Sequence, residues 1–152
     1  MTELTPGELI YEYTIQSTGA TSYGVPALEA LLSGVADIPA EGARYDLAFR
    51  GPIVGQRLRG TVELNDYLHV RPDGRVQLHI HAEITTEDGK KIALHADGVA
   101  RFAEGPPIGD LRENVTMTTS EPDYAWVNPL QFWARGTVDI AKGEAHVMGY
   151  VA

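Results

Sequence analysis

Cysteine is absent from the 152-residue chain. That removes a disulfide framework, an iron–sulfur cluster, a thiolate zinc site and a cysteine nucleophile together. Positive charge is scarce: 12 Lys and Arg stand against 21 Asp and Glu, a formal net charge of −9 with neutral histidines. A surplus of that sign repels phosphate backbones and anionic lipid, so neither nucleic acid nor a membrane is the expected partner. Long apolar runs are missing, as is the basic-then-apolar opening of a secretory signal. A soluble, cytoplasmic protein is expected. No Gly-x-Ser-x-Gly elbow or Gly-rich phosphate loop occurs, which leaves serine hydrolysis and nucleotide chemistry without support. The length fits a single domain over residues 1–152.

Period-two alternation is abundant, as in Leu9, Tyr11, Tyr13, Ile15 and in Tyr45, Leu47, Phe49. It marks half-buried strands. Turn chemistry at Pro72-Asp73-Gly74, Glu87-Asp88-Gly89, Gly105-Pro106-Pro107, Asn128-Pro129 and Lys142-Gly143 separates the runs. Nine strands are predicted at about 8–16, 43–50, 56–70, 75–86, 90–102, 113–119, 124–128, 131–140 and 144–151. Long strands joined by short hairpins favour an all-β, mainly antiparallel barrel of about eight to ten strands over a sheet with open edges. One short helix is expected near 26–34, with Pro26 at its start, Leu28, Leu31 and Leu32 as its apolar stripe and Gly34 past its end. So short a helix must dock on the barrel, across one mouth.

Two hairpin registers follow from polarity. A three-residue loop at Glu87-Asp88-Gly89, with Gly89 in the left-handed conformation, pairs Ile84 with Ile92, Ala82 with Leu94 and Ile80 with Ala96. It also pairs His81 with His95 and His79 with Asp97 on the other face. A one-residue slip would mix the two faces. The same loop length at Pro72-Asp73-Gly74 pairs Val70 with Val76 and Leu68 with Leu78, and brings Tyr67 to His79 and Asn65 to His81.

Three strands thus present Arg59, Glu63, Tyr67, His79, His81, Glu83, His95 and Asp97 together. Two readings of this face compete. In one it is washed by solvent while the apolar face fills the barrel. In the other it lines a cavity and the apolar face is covered by the helix or a second subunit. The second reading gives a cofactor-independent acid–base enzyme. His79 or His81 exchanges a proton, Glu83 or Asp97 orients the imidazole, and Tyr67 and Arg59 polarise a substrate oxygen, with His95 beside them. Tyr124, Trp126 and Asn128, placed on one strand face, supply the ring-holding walls and polar anchor. His79-x-His81 with His95 also has the form of a three-imidazole metal set, though the later glutamate and histidine of the cupin pattern are absent. No cofactor or metal is assigned on this reading.

Gly55-Gln56-Arg57-Leu58-Arg59-Gly60, Asn65-Asp66-Tyr67, Thr86-Glu87-Asp88-Gly89, Gly98 and Tyr124-Ala125-Trp126-Val127-Asn128 resemble the bacterial family known as domain of unknown function 3237 over about residues 37–151. The resemblance implies a calycin-like small β-barrel and leaves the activity open. The chain departs from the family pattern in Tyr67, where Trp is usual, and in His79 and His81, where Asp and Arg are common. Residues 22–35 read as a helical insertion with the character of a lid. The expected function is a small-molecule-binding barrel enzyme of lyase, isomerase, hydratase or cyclase type. Its substrate would be a hydrophobic, aromatic or polyketide-like molecule. The alternatives are a non-catalytic ligand-binding barrel and a His-ligated metal site. Apolar residues on both faces of several strands point to a homo-oligomer.

Overall fold

The computed structural model describes residues 3–152; Met1 and Thr2, which open the expected 1–152 domain, lie outside the described residues. Eight strands run in chain order: β1 (Leu9–Ser22), β2 (Ala43–Val54), β3 (Gly60–Val70), β4 (Val76–Thr86), β5 (Lys91–Arg101), β6 (Ile108–Thr118), β7 (Phe132–Asp139) and β8 (Glu144–Val151). Each pairs antiparallel with the next, and β8 returns to β1 to close the barrel. No edge strand remains to template aggregation. The helix α1 (Leu28–Leu32) lies in the β1–β2 connection. None of the described helices is long and apolar enough to cross a membrane.

Both inferred registers are present, although the expected Tyr67–His79 and Leu68–Leu78 pairs fall where the β3–β4 ladder is interrupted. Val70 pairs with Val76 across β3–β4, and Val76 with Ala100 through Ile84 with Ile92 across β4–β5. In each hairpin a type-I-like turn closes between Arg71 and Gly74, or Thr86 and Gly89, and glycine then takes positive φ, 88° at Gly74 and 83° at Gly89. A Cβ there would meet no neighbour but would strain the turn, because L-residues resist that conformation.

Several predicted elements differ: β1 runs on to Ser22 rather than 16, β2 to Val54 rather than 50, and β6 begins at Ile108 rather than 113. Residues 124–128 are not a strand but part of a 3-10 helix, η1 (Pro122–Val127). Pro122 presets a helical φ, and Tyr124, Val127 and Leu130 recur every third residue, the period of a 3-10 turn. Val127 is fully buried, while Tyr124, Trp126 and Leu130 pack against the core around it. The third strand starts at Gly60 rather than 56. The helix spans five residues, not nine. Pro26 stays outside it because its carbonyl accepts the Tyr45 hydroxyl, and Ala27 is still extended.

The apolar face of every strand points inward. Val62, Ile84, Ile92, Ala96, Val115 and Phe132 are fully buried there. One end of the barrel is plugged by η1, pinned by Asn128, which accepts from the Thr119 N–H at 2.9 Å and donates to the Thr119 carbonyl at 2.8 Å. Nearby, the Tyr11 ring fills the lumen against Gly149, where an added Cβ would lie 2.0 Å from the ring. The opposite end carries α1, whose Leu31 is buried.

Candidate functional site

Strand parity carries two carboxyl groups into the apolar interior. On β3 the inward series is Val62, Leu64, Asp66, Leu68, Val70, and on β6 it is Leu111, Glu113, Val115, Met117. Asp66 is 7% exposed and Glu113 6%. Their surroundings differ. One Asp66 oxygen accepts the His79 backbone N–H at 3.0 Å. The β3–β4 ladder opens there, its pairs running from Asp66 with Ile80 directly to His69 with Gln77. The carboxylate takes up a donor that the ladder would otherwise satisfy. Glu113, by contrast, has neither oxygen hydrogen-bonded to any described residue, and the buried Tyr11 hydroxyl is also unpartnered among them. Native interiors seldom tolerate such groups, so each calls for an explanation, a ligand or a catalytic role among them.

Protonation follows from these surroundings. Burial pushes Glu113 up to about 8, and the neighbouring Asp66 charge adds to the shift. Burial also raises Asp66, to about 6, against the opposing pull of the His79 N–H. Near neutrality Glu113 is therefore mostly a carboxylic acid and Asp66 mostly a carboxylate. Tyr11 and Tyr13 are held well above the ordinary phenol range, first by burial and then by Glu113. They remain neutral hydroxyls.

Three of these groups border a cavity of about 440 Å³ inside the barrel, within the size range of small-molecule sites. Tyr13, Asp66 and Glu113 supply polar atoms to its wall, and most of the remainder is aliphatic or aromatic, including Leu47, Phe49, Leu64, Leu68, Ile80 and Phe102. Ala27, Leu28 and Glu29 of the α1 region reach its mouth.

The histidine-bearing face is on the outside. His79, His81 and His95 are exposed, as are Arg59, Glu83 and Asp97, while Tyr67 is half-buried. Of the two readings of this face the solvent-washed one holds and the cavity-lining one fails, because eight strands close with the bulky apolar series inward and leave its complement to solvent. The structure still brings much of the set together. His81 opposes His95, His79 opposes Asp97, and the Tyr67 ring meets His81 edge-on at 5.8 Å. Glu83 instead pairs with Lys91 at 3.2 Å. Tyr124, Trp126 and Asn128 lie at the plugged end, with the Tyr124 hydroxyl donating to Asp88 at 2.8 Å. None of the three lines the cavity. Asp66 and Glu113 were not among the candidates, although parity alone puts an acid in each inward apolar series.

The family pattern described as "Protein of unknown function (DUF3237)" matches residues 45–151, from β2 to the end of β8. The chain belongs to this family. No curated protein matches its sequence significantly. Solved structures share its fold across nearly the whole chain. A protein of unknown function from Clostridium acetobutylicum is 21% identical with a TM-score of 0.77, covering 97% of this chain and 99% of its own. A β-barrel-like protein from Acinetobacter baumannii is 16% identical with a TM-score of 0.74, covering 99% of each chain. An enzyme from Penicillium herquei is 18% identical with a TM-score of 0.60, covering 100% of this DUF3237 chain and 99% of its own. At these identities the likeness concerns the barrel.

Proposed function

We propose that this DUF3237 protein is a cofactor-independent acid–base enzyme acting on a small, largely apolar molecule inside the barrel. The observation that carries the reading is Glu113, a buried carboxyl without a hydrogen-bond partner among the described residues, on the wall of an apolar cavity. An acid held protonated near neutrality beside a carboxylate that is mostly ionised divides the roles of donor and acceptor. Asp66 takes a proton from a carbon next to a substrate carbonyl. Glu113 gives its proton to the carbonyl oxygen, and the product is the neutral enol. Return of a proton to a different carbon makes the net reaction an isomerisation, and the same pair serves addition or cyclisation. The largely apolar wall around the two carboxyl groups strengthens both interactions. The Penicillium herquei neighbour, itself an enzyme, is consistent with chemistry on this scaffold.

The test is deuterium exchange. A panel of apolar cyclic ketones with acidic α-hydrogens, 2-tetralone among them, is incubated with the protein in deuterated buffer and followed by proton NMR. The wild type is expected to accelerate exchange for at least one bound ketone. Glu113→Gln should lower that rate by about 100-fold or more while binding persists. The nearly continuous apolar lining also suits a barrel that binds without reacting. Binding with no acceleration by the wild type would establish that second reading in place of the first.

A further inference from the structure

The outer wall carries a cluster that the cavity chemistry leaves unused. His79 and His81 are two residues apart on β4 and so project from the same face, and His95 on β5 directly opposes His81. The His79 and His81 rings stack with centroids 5.3 Å apart and planes 10° from parallel. His95 meets both edge-on, at 5.4 and 5.1 Å. One ring nitrogen from each lies within 4.8 Å of those of the other two. Among the described residues, none forms a hydrogen bond or ion pair with these ring nitrogens.

Three imidazoles gathered without hydrogen-bond partners gain little from one another, and they repel when protonated. They do match, in type and number, the imidazole set that borderline divalent ions prefer. Two nitrogens on a tetrahedral zinc, each roughly 2.1 Å from the metal, lie roughly 3.4 Å apart. The present separations, all within 4.8 Å, exceed this by roughly 1.4 Å at most, a gap within reach of rotamer changes of exposed rings. One carboxylate beside the cluster is uncommitted. Glu63 and Glu83 oppose each other on the same face but are occupied by Arg50 at 3.3 Å and Lys91 at 3.2 Å. Asp97, opposite His79, is steadied only by the Asn114 amide at 3.3 Å and has no cationic partner among the described residues.

We propose that His79, His81 and His95 bind one zinc-class divalent cation on the outer wall, separate from the cavity. Water takes the open position, with the Asp97 carboxylate alongside to accept its hydrogen bond. The ion ties β4 to β5 at mid-strand, and binding to the folded state alone raises thermal stability by mass action.

Zinc chloride titrated calorimetrically into chelator-dialysed protein at about pH 7.5, with melting scans in parallel, tests the site. The expected result is one zinc per chain with micromolar affinity and an upward shift of Tm. His81→Gln and His95→Gln should each weaken binding about tenfold or more and leave the zinc-free Tm unchanged, because the rings are exposed. His146→Gln is the control, since His146 lies on β8 and bonds Glu12 at 2.7 Å. It should leave zinc binding intact. Wild-type affinity in both triad variants, no calorimetric binding, or one zinc shared by two chains would each overturn the proposal.

Discussion

The inner and outer walls of the same strands divide polarity in opposite ways. Outside, β4 and β5 collect three histidines, a glutamate and an aspartate, all exposed. Inside, two acids from β3 and β6 stand almost alone among aliphatic side chains. Solvent surrounds the crowd and screens the charges within it. The isolated pair is altered, because burial acts on each charge with little to offset it. A single acid in an apolar series is therefore pushed further toward its neutral form than burial-free chemistry would leave it.

Substitutions on the two walls should separate them. The largest loss is expected from Ile84→Ala, which empties a fully buried position and should cost about 2–5 kcal/mol in urea unfolding. Next comes the pH dependence of stability. Glu113 has a folded value of about 8 against an ordinary 4.5, so between these limits the folded state holds more protons than the unfolded one. Its contribution is full below about pH 4.5 and is lost as pH rises through about 8. Asp66 acts in the same direction between its ordinary 3.8 and about 6. Wild-type stability should fall on the order of a few kcal/mol across this range. Glu113→Gln should be nearly flat above pH 6, where Asp66 has already titrated, and more stable than wild type at about pH 8. A parallel slope in the variant would refute the assignment.

Smaller effects sharpen the contrast. Asp66→Asn keeps an oxygen that accepts the His79 N–H but removes the charge that helps raise Glu113. Carboxyl NMR should show the Glu113 midpoint moving down in this variant. On the outer wall, His81→Gln should change stability by less than about 0.5 kcal/mol, with the same unfolding measurement as the check. A cost comparable to that of Ile84→Ala would mean the outer ring is packed, contrary to its exposure.

Much of this arrangement is legible in the residues. Alternating polarity and two Asp-Gly loops determine how β3, β4 and β5 pair, down to the opposition of His81 and His95. Which face turns inward is harder to read, because periodicity sorts side chains into two sets without saying which one the closed sheet encloses. The bulk of Leu, Ile and Val decides that in the fold. Asp66 and Glu113 stand in inward series by position alone, yet a histidine-rich face draws attention first. The aromatic segment at 122–127 shows a different ambiguity: Tyr124 and Trp126 alternate as in a strand, while Pro122 and the Tyr124, Val127, Leu130 spacing specify a 3-10 turn. The helix is short because the Tyr45 hydroxyl, contributed from β2, takes the Pro26 carbonyl. No local pattern announces a tertiary contact of that kind.

The central claim is that Glu113 is a carboxylic acid, not a carboxylate, in the barrel at neutral pH. Side-chain carboxyl chemical shifts of carbon-13-labelled protein, followed across pH and assigned with Glu113→Gln, measure this directly. The account predicts a Glu113 midpoint at about 8, well separated from the exposed glutamates. A midpoint close to the ordinary 4.5 would contradict it and remove the proton donor from the cavity.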